Sequence, residues 1–168
     1  MADRGAAVGV APVKGAHVWD WPTRVFHWLL AGTVTTSWIT GTLEVDDFDI
    51  HLMSGYSVLG LVVFRLTWGL IGSGPSRFAS FVRGPLRVMR YAAGLRQRSP
   101  SHWPGHNPLG GWSVVLMLLV LAGTVAAGLF SDDEVLYQGP LAALISEDGR
   151  ATATEIHELL TNLVLVLV

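Results

Sequence analysis

The sequence contains no cysteine and few charged residues, and both absences limit what it can be. Without thiols it has no disulfide framework, no thiolate zinc or iron–sulfur site and no cysteine nucleophile, so a metal centre would need histidine or carboxylate ligands. Only 14% of the 168 residues are Asp, Glu, Lys or Arg, against about a quarter in an ordinary soluble domain. The net charge of −2 also excludes a nucleic-acid binder that relies on bulk positive charge.

Hydrophobic residues make up 51% of the chain and are concentrated in four blocks. Hydropathy windows of about 19 residues predict membrane-spanning helices over 25–43, 52–72 and 109–130, and a fourth over 154–168. The fourth block is shorter than the ~20 residues that cross about 30 Å of hydrocarbon, so we expect the sequence to end inside this span. The pattern predicts an all-α integral membrane four-helix bundle whose fourth helix is incomplete at the C-terminus.

The segments outside these blocks are expected to be peripheral. Residues 1–16 are mostly small and are predicted to form a disordered cytoplasmic tail, which leaves a membrane domain of residues 17–168. The long connection 73–108 has Gly/Pro-rich ends around a predicted short helix, 85–98, which would lie on the membrane surface.

The basic residues are distributed unevenly around the predicted spans. Of the eleven Lys and Arg residues, three precede the first span and six lie in the 73–108 connection. Arg65 falls inside the second span, and only Arg150 remains for the opposite side. By the positive-inside rule, the N-terminus and this connection are predicted to be cytoplasmic.

Three of the six histidines lie near the ends of predicted spans. His27 is at the inner end of the first, and His51 and His157 are at the outer ends of the second and fourth. A single histidine at membrane depth is at least as often a packing or capping residue as a ligand. Three in one small bundle favour axial ligation of haem iron. His51 and His157 lie at one depth and are predicted to clamp one haem.

The inner end of the bundle is predicted less completely. A partner for His27 on the fourth helix would lie about 14 residues, or ~21 Å, beyond His157, and so three positions beyond Val168. Arg65 follows His51 by the same interval and reaches the level of His27. Two interpretations stay open for Arg65: it extends to the cytoplasmic headgroups, or it pairs with a haem propionate.

Other polar residues give weaker signals. His102 and His106 have the i, i+4 spacing of a helical zinc pair, but Pro104 lies between them and makes a regular helix unlikely. Glu155 and Glu158 are interpreted as interfacial residues that flank the histidine of the fourth span.

Four segments of the sequence together resemble one family. They are VWDWPTRVFHWLLAG at 18–32, HLMSGYSVLGLVVFRLTWGLIGS at 51–73, GHNPLGGW at 105–112 and IHELLTNL at 156–163. In this order and spacing they resemble the bacterial cytochrome b561 family, which includes the b-type cytochrome subunits of nickel–iron hydrogenases. The similarity extends from His17 to the end of the chain.

The resemblance implies a four-span protein of the bacterial inner membrane that holds two b haems by paired histidines. Such proteins transfer electrons between the quinone pool and a redox partner, for example a hydrogenase or a c-type cytochrome. The family's ligands fall on His27, His51 and His157, while its remaining ligand has no counterpart before Val168. One haem site is therefore expected to be incomplete, because the sequence is a fragment or a shortened member. A homodimer is left open.

Two other functions compete with an electron-carrying cytochrome. One is a haem-free membrane anchor that docks a redox enzyme and buries its histidines as packing groups. The other is an ion or proton carrier that uses the intramembrane histidines and arginine, but such carriers favour acidic residues at mid-membrane, which this sequence lacks. The colour of the purified protein separates the cytochrome from both.

Overall fold

The chain folds into α-helices. The computed structural model describes residues 20–43, 48–96, 106–132 and 138–168, and the prediction of an all-α protein is confirmed over these residues. The α-helices are α1 (Trp21–Thr42), α2 (Phe48–Ile71), α3 (Phe78–Phe81), α4 (Pro85–Arg96), α5 (Pro108–Phe130) and α6 (Glu147–Leu167). Single turns of 3₁₀ helix lie at Gly74–Ser76 and Ala142–Leu144. The predicted disordered tail, residues 1–16, lies outside the described residues.

The long helices α1, α5 and α6 begin where the sequence supplies an N-cap. Asp20, Asn107 and Ser146 each accept a hydrogen bond from the backbone N–H three residues ahead, at 3.0, 2.8 and 3.3 Å. A proline in the first turn of α1 and of α5 adds to this signal, because its ring presets the helical φ angle.

The predicted spans 25–43, 52–72 and 109–130 coincide with α1, α2 and α5 to within a few residues, and the helix that contains the predicted fourth span, 154–168, is longer than that span. Its helix begins at Glu147, two turns before the predicted start at Thr154. Hydropathy detects only the apolar half of α6, whereas the helix starts where Ser146 caps it and acidic residues complement the helix dipole. A helix is also found over Pro85–Arg96, within the predicted range 85–98, and its position on the membrane surface stays a prediction.

Two helices among the described residues, Asp49–Ile71 and Pro108–Phe130, are long and apolar enough to cross a membrane. The other two predicted spans are more polar. Helix α1 contains six threonines, and α6 contains four acidic residues and Arg150. A membrane crossing by α1 and by α6 therefore remains a proposal.

The four long helices pack in the order α1, α2, α5, α6. Helix α1 lies along α2, α5 lies along α6, and the two pairs meet where α2 contacts α5. The buried core at this junction consists of Val58, Val62, Val120, Leu121, Val125 and Val164. Large apolar side chains on the outer surface stay exposed, such as Trp28 at 81%, Leu119 at 66% and Leu159 at 67%, which suits a surface that contacts lipid.

Polar side chains join the start of α1 to the end of α2. The Asp20 carboxylate accepts hydrogen bonds from Trp68 Nε1, at 3.0 Å, and from the Ser73 hydroxyl. The hydroxyls of Thr23 and Ser76, both buried, form a further hydrogen bond of 3.0 Å. Burial alone would raise the pKa of Asp20, but the hydrogen bonds from Ser73, Thr23 and Trp68 outweigh it and hold this pKa well below its ordinary value.

Candidate functional site

His51 and His157 face each other between α2 and α6. Their ring centroids are 6.2 Å apart and their ring planes cross at 77°. Each side chain is half-buried, one on the first turn of α2 and the other in the middle of α6. The structure thus brings together the two histidines that the sequence places at one depth.

The Nδ1 atom of each ring is held by the neighbouring helix. His51 Nδ1 is 3.0 Å from the carbonyl oxygen of Ser37 and 3.2 Å from the hydroxyl of Thr40, both on α1. His157 Nδ1 is 2.8 Å from the carbonyl oxygen of Thr124 on α5. Because a carbonyl oxygen can only accept, both rings carry their proton on Nδ1. The lone pair of each neutral ring is then on Nε2, where a metal can bind.

Two glycines allow the rings to lie directly against helix backbones. A Cβ atom at Gly41 of α1 would be 3.0 Å from His51 Cε1, and a Cβ atom at Gly128 of α5 would be 2.9 Å from His157 Cε1 and Nδ1. Distances this short require one of the two groups to move. The absence of side chains at these two positions therefore helps to fix the orientation of the imidazoles.

A cavity of about 470 Å³ opens between the two rings and the four long helices, which is within the usual range for small-molecule and cofactor sites. Trp38, Val58, Leu121 and Val125 contribute apolar wall. The polar members of the lining include Thr124, Thr154, Glu158, Thr161 and Asn162. At Gly55, one turn beyond His51, a Cβ atom would meet nothing within 4 Å, so the wall next to this imidazole is open.

The geometry fits a metal held between the two imidazoles. Two metal–imidazole bonds of about 2 Å, with a ring radius of about 1 Å at each end, place ring centres about 6 Å apart, close to the 6.2 Å observed. The described residues contain no group of three or more His, Cys, Asp or Glu side chains that could coordinate an ion alone. Two imidazoles beside a wide apolar cavity therefore suit a group that brings its own equatorial ligands, as haem does.

His27 lies toward the opposite end of α1, far from the facing pair. Its ring is exposed, and its Nδ1 is 2.8 Å from the carbonyl oxygen of Thr23, one turn earlier in the same helix. This contact again leaves the lone pair on Nε2. The structure keeps His27 apart from the other two predicted ligands, His51 and His157. This agrees with the sequence analysis, which assigns His27 to a second level.

Arg65 is enclosed by the protein rather than exposed on its surface. The residue is 3% exposed, and its guanidinium donates a hydrogen bond of 3.2 Å to the carbonyl oxygen of Ser76. The guanidinium carbon also lies 4.9 Å from the ring centroid of Phe78 and 5.9 Å from that of Phe81, within range of cation–π attraction.

His106 lies at the same end of the molecule as Arg65, where the sequence analysis did not place it. Its ring centroid is 5.0 Å from that of Phe81. Burial lowers the pKa of His106, and the nearby charges of Arg65 and His27 lower it further. These three residues therefore share one end of the molecule. The sequence analysis singled out His106 only for its i, i+4 spacing from His102, which is typical of a zinc pair. His102 lies outside the described residues.

The described residues form helices with two imidazoles that face each other across an apolar cavity, an arrangement typical of helical haem proteins. Comparison with known protein families gives a more specific result. The chain belongs to the prokaryotic cytochrome b561 family, whose model matches residues 18–168. No curated protein and no solved structure matches the chain. Membership in this family implies a membrane protein that binds b-type haem and takes part in electron transport.

Proposed function

We propose that this protein carries electrons between the quinone pool and a redox partner, such as a hydrogenase subunit or a c-type cytochrome, in a bacterial respiratory chain. The observation that carries the proposal is the pair His51 and His157, with ring centroids 6.2 Å apart and both Nδ1 atoms on backbone carbonyls. Family membership supports b-type haem as the group between them.

When bound between these residues, the haem supplies one-electron redox chemistry at its iron. His51 and His157 would hold the haem between α2 and α6. The carbonyl groups of Ser37 and Thr124 orient the rings. The apolar wall excludes water, and its polarity helps to set the potential at which the site accepts an electron.

We assign His27 and Arg65 to a second haem at the inner end. The His27 ring has its Nδ1 on a backbone carbonyl, as the outer histidines do. Arg65 is a buried cation at the same end, and a guanidinium can bind a propionate carboxylate in a bidentate manner. Four crossings of the inner membrane with a cytoplasmic N-terminus complete the proposal, supported by the basic residues before α1 and between α2 and α5.

The first test is the dithionite-reduced minus oxidised spectrum of the purified protein, with haem per chain measured as the pyridine haemochrome. The wild type should show a b-type spectrum that a short-chain quinol also develops under anaerobic conditions. His51→Ala and His157→Ala should each lose the haem of the facing pair, because the two imidazoles would hold it together and each variant leaves only one.

Ser57→Ala is the matched control for this test. Ser57 is an exposed residue of α2 whose hydroxyl donates to its own helix, at Met53, and it does not line the cavity. This variant should keep the full haem content. Histidine variants that retain the wild-type haem content would refute the ligand assignment, and a haem that dithionite reduces but quinol does not would refute the quinone step.

A further inference from the structure

Helix α4 presents an apolar face that no described part of the protein covers. Leu86 is 61% exposed and Met89 is 68% exposed, and the two lie about one turn apart on the same side of the helix. Val88 and Tyr91, on another side, are half-buried, and α4 contacts α5. The helix is therefore attached to the protein along one side and leaves a second apolar side open.

Positive charge borders this open side, and no acidic side chain among the described residues forms an ion pair with it. Arg87 and Arg90 are exposed on α4. The sequence contains no acidic residue between Asp49 and Asp132. The one ion pair among the described residues joins Arg150 to Asp132, which follows the far end of α5. Within the part of the chain that the structure describes, Arg87 and Arg90 thus have no acidic partner and can meet an anionic one.

The start of α4 is held at a fixed place beside α5. Trp112 Nε1, in the second turn of α5, donates a hydrogen bond of 2.8 Å to the carbonyl oxygen of Arg83, just before α4. A shallow groove of about 340 Å³ lies at this point, lined by Gly84, Pro85, Leu86, Arg87 and Arg90. Leu86, Arg87 and Arg90 therefore border one groove. This groove lies next to the beginning of α5, which is long and apolar enough to cross a membrane.

We propose that α4 docks on the acidic phospholipids of the membrane surface, with Leu86 and Met89 among the upper acyl chains and Arg87 and Arg90 on the lipid phosphates. An apolar face beside arginines is the pattern of a helix that lies in the membrane interface, and guanidinium groups bind phosphate with well-matched geometry. An acidic protein partner would match the arginines alone, whereas a lipid surface also accounts for the exposed leucine and methionine. The proposal does not depend on haem binding.

The absence of cysteine makes a direct test of immersion simple. Leu86→Cys, Met89→Cys and Arg87→Cys can each carry the only spin label of the protein in lipid nanodiscs that contain phosphatidylglycerol. Labels at 86 and 89 should collide with oxygen and be protected from a water-soluble nickel chelate. The label at 87 should collide with the chelate. Equal access of the chelate to all three labels would overturn the proposal.

A second measurement tests the charge that selects the lipid. Phosphatidylglycerol in place of phosphatidylcholine should raise the thermal unfolding temperature of the wild type and of the double variant Arg87→Lys/Arg90→Lys. This rise should be smaller in Arg87→Gln/Arg90→Gln. An equal rise in the glutamine variant would contradict the role of the arginines. An equal rise with inorganic phosphate in neutral nanodiscs would show a site for free anions and would refute lipid docking.

Discussion

Gly41 and Gly128 show how much of the site depends on single residues. Each contributes only a hydrogen atom at the point where an imidazole lies against the backbone of the next helix. The carbonyl groups of Ser37 and Thr124 then fix the proton of each ring on Nδ1. Ring orientation thus results from two kinds of contact, a close approach to backbone and a hydrogen bond.

The glycines can be tested with alanine. Gly128→Ala and Gly41→Ala should displace the rings of His157 and His51, with an overpacking cost of about 1–3 kcal/mol. We expect less haem per chain and a shifted midpoint potential for the haem that remains.

Gly32→Ala is the control for the glycine variants, because a Cβ atom at Gly32 would meet nothing within 4 Å. It should leave both haem content and potential unchanged. A Gly128→Ala protein with the wild-type potential and haem content would show that the close approach does not position the ring.

Asp20 should make stability depend on pH. Its pKa in the folded protein is lower than the ordinary value of 3.8, so its ionised form stabilises the folded state above that value, and this contribution is lost as the pH falls below about 4. Asp20→Asn should lower the free energy of unfolding at neutral pH by about 1 kcal/mol, because an amide nitrogen cannot accept the hydrogen bonds from Trp68 and Ser73, and should weaken the acid dependence. Thermal unfolding of the detergent-solubilised protein between pH 3 and 7 measures both effects.

The control for Asp20 is Asp49→Asn, which changes an exposed carboxylate in the first turn of α2. It should leave the acid dependence of unfolding as it is in the wild type. If Asp20→Asn showed the same acid dependence as the wild type, the hydrogen bonds from Trp68 and Ser73 would not be the cause.

At the scale of elements, α6 shows what hydropathy detects and what it misses. The apolar residues after His157 reveal a helix, but its first two turns are polar and contain Glu147, Asp148 and Arg150. These turns are positioned by contacts with the end of α5. Arg150 forms an ion pair of 2.8 Å with Asp132, and the Thr154 hydroxyl bonds to both the N–H and the C=O of Asp132. Such tertiary contacts leave no periodic signal in the sequence.

Thr154→Val tests this connection. The change keeps the shape of the side chain and removes the hydrogen bonds to the Asp132 backbone, each 3.0 Å long. We expect a loss of about 1–2 kcal/mol in the free energy of unfolding, because polar groups at Asp132 lose their partner. Denaturant titration followed by circular dichroism measures the loss.

Thr152→Val provides the comparison on the same helix. The Thr152 hydroxyl is exposed and donates to the carbonyl oxygen of Asp148 within α6. This variant should change stability by less than about 0.5 kcal/mol, as exposed substitutions usually do. Equal losses in the two variants would show that contact with Asp132 does not stabilise α6.

For the whole molecule, the sequence predicts the helices and the facing histidines because both follow from regular geometry. Depth along a helix depends only on the rise per residue, so His51 and His157 could be placed at one level without knowledge of the packing. The surroundings of Arg65 could not be predicted this way. Its guanidinium contacts Ser76 and Phe78, in the segment that folds back after α2, and no sequence period indicates where that segment returns.

The central claim is that His51 and His157 together hold one haem, and the electron paramagnetic resonance spectrum of the oxidised protein tests it most directly. His27→Ala removes the proposed inner ligand and isolates the outer site. Because the ring planes cross at 77°, we predict a strongly anisotropic low-spin ferric signal from two imidazole ligands in this variant. A haem that gives only a high-spin signal in His27→Ala, or no bound haem at all, would contradict the account.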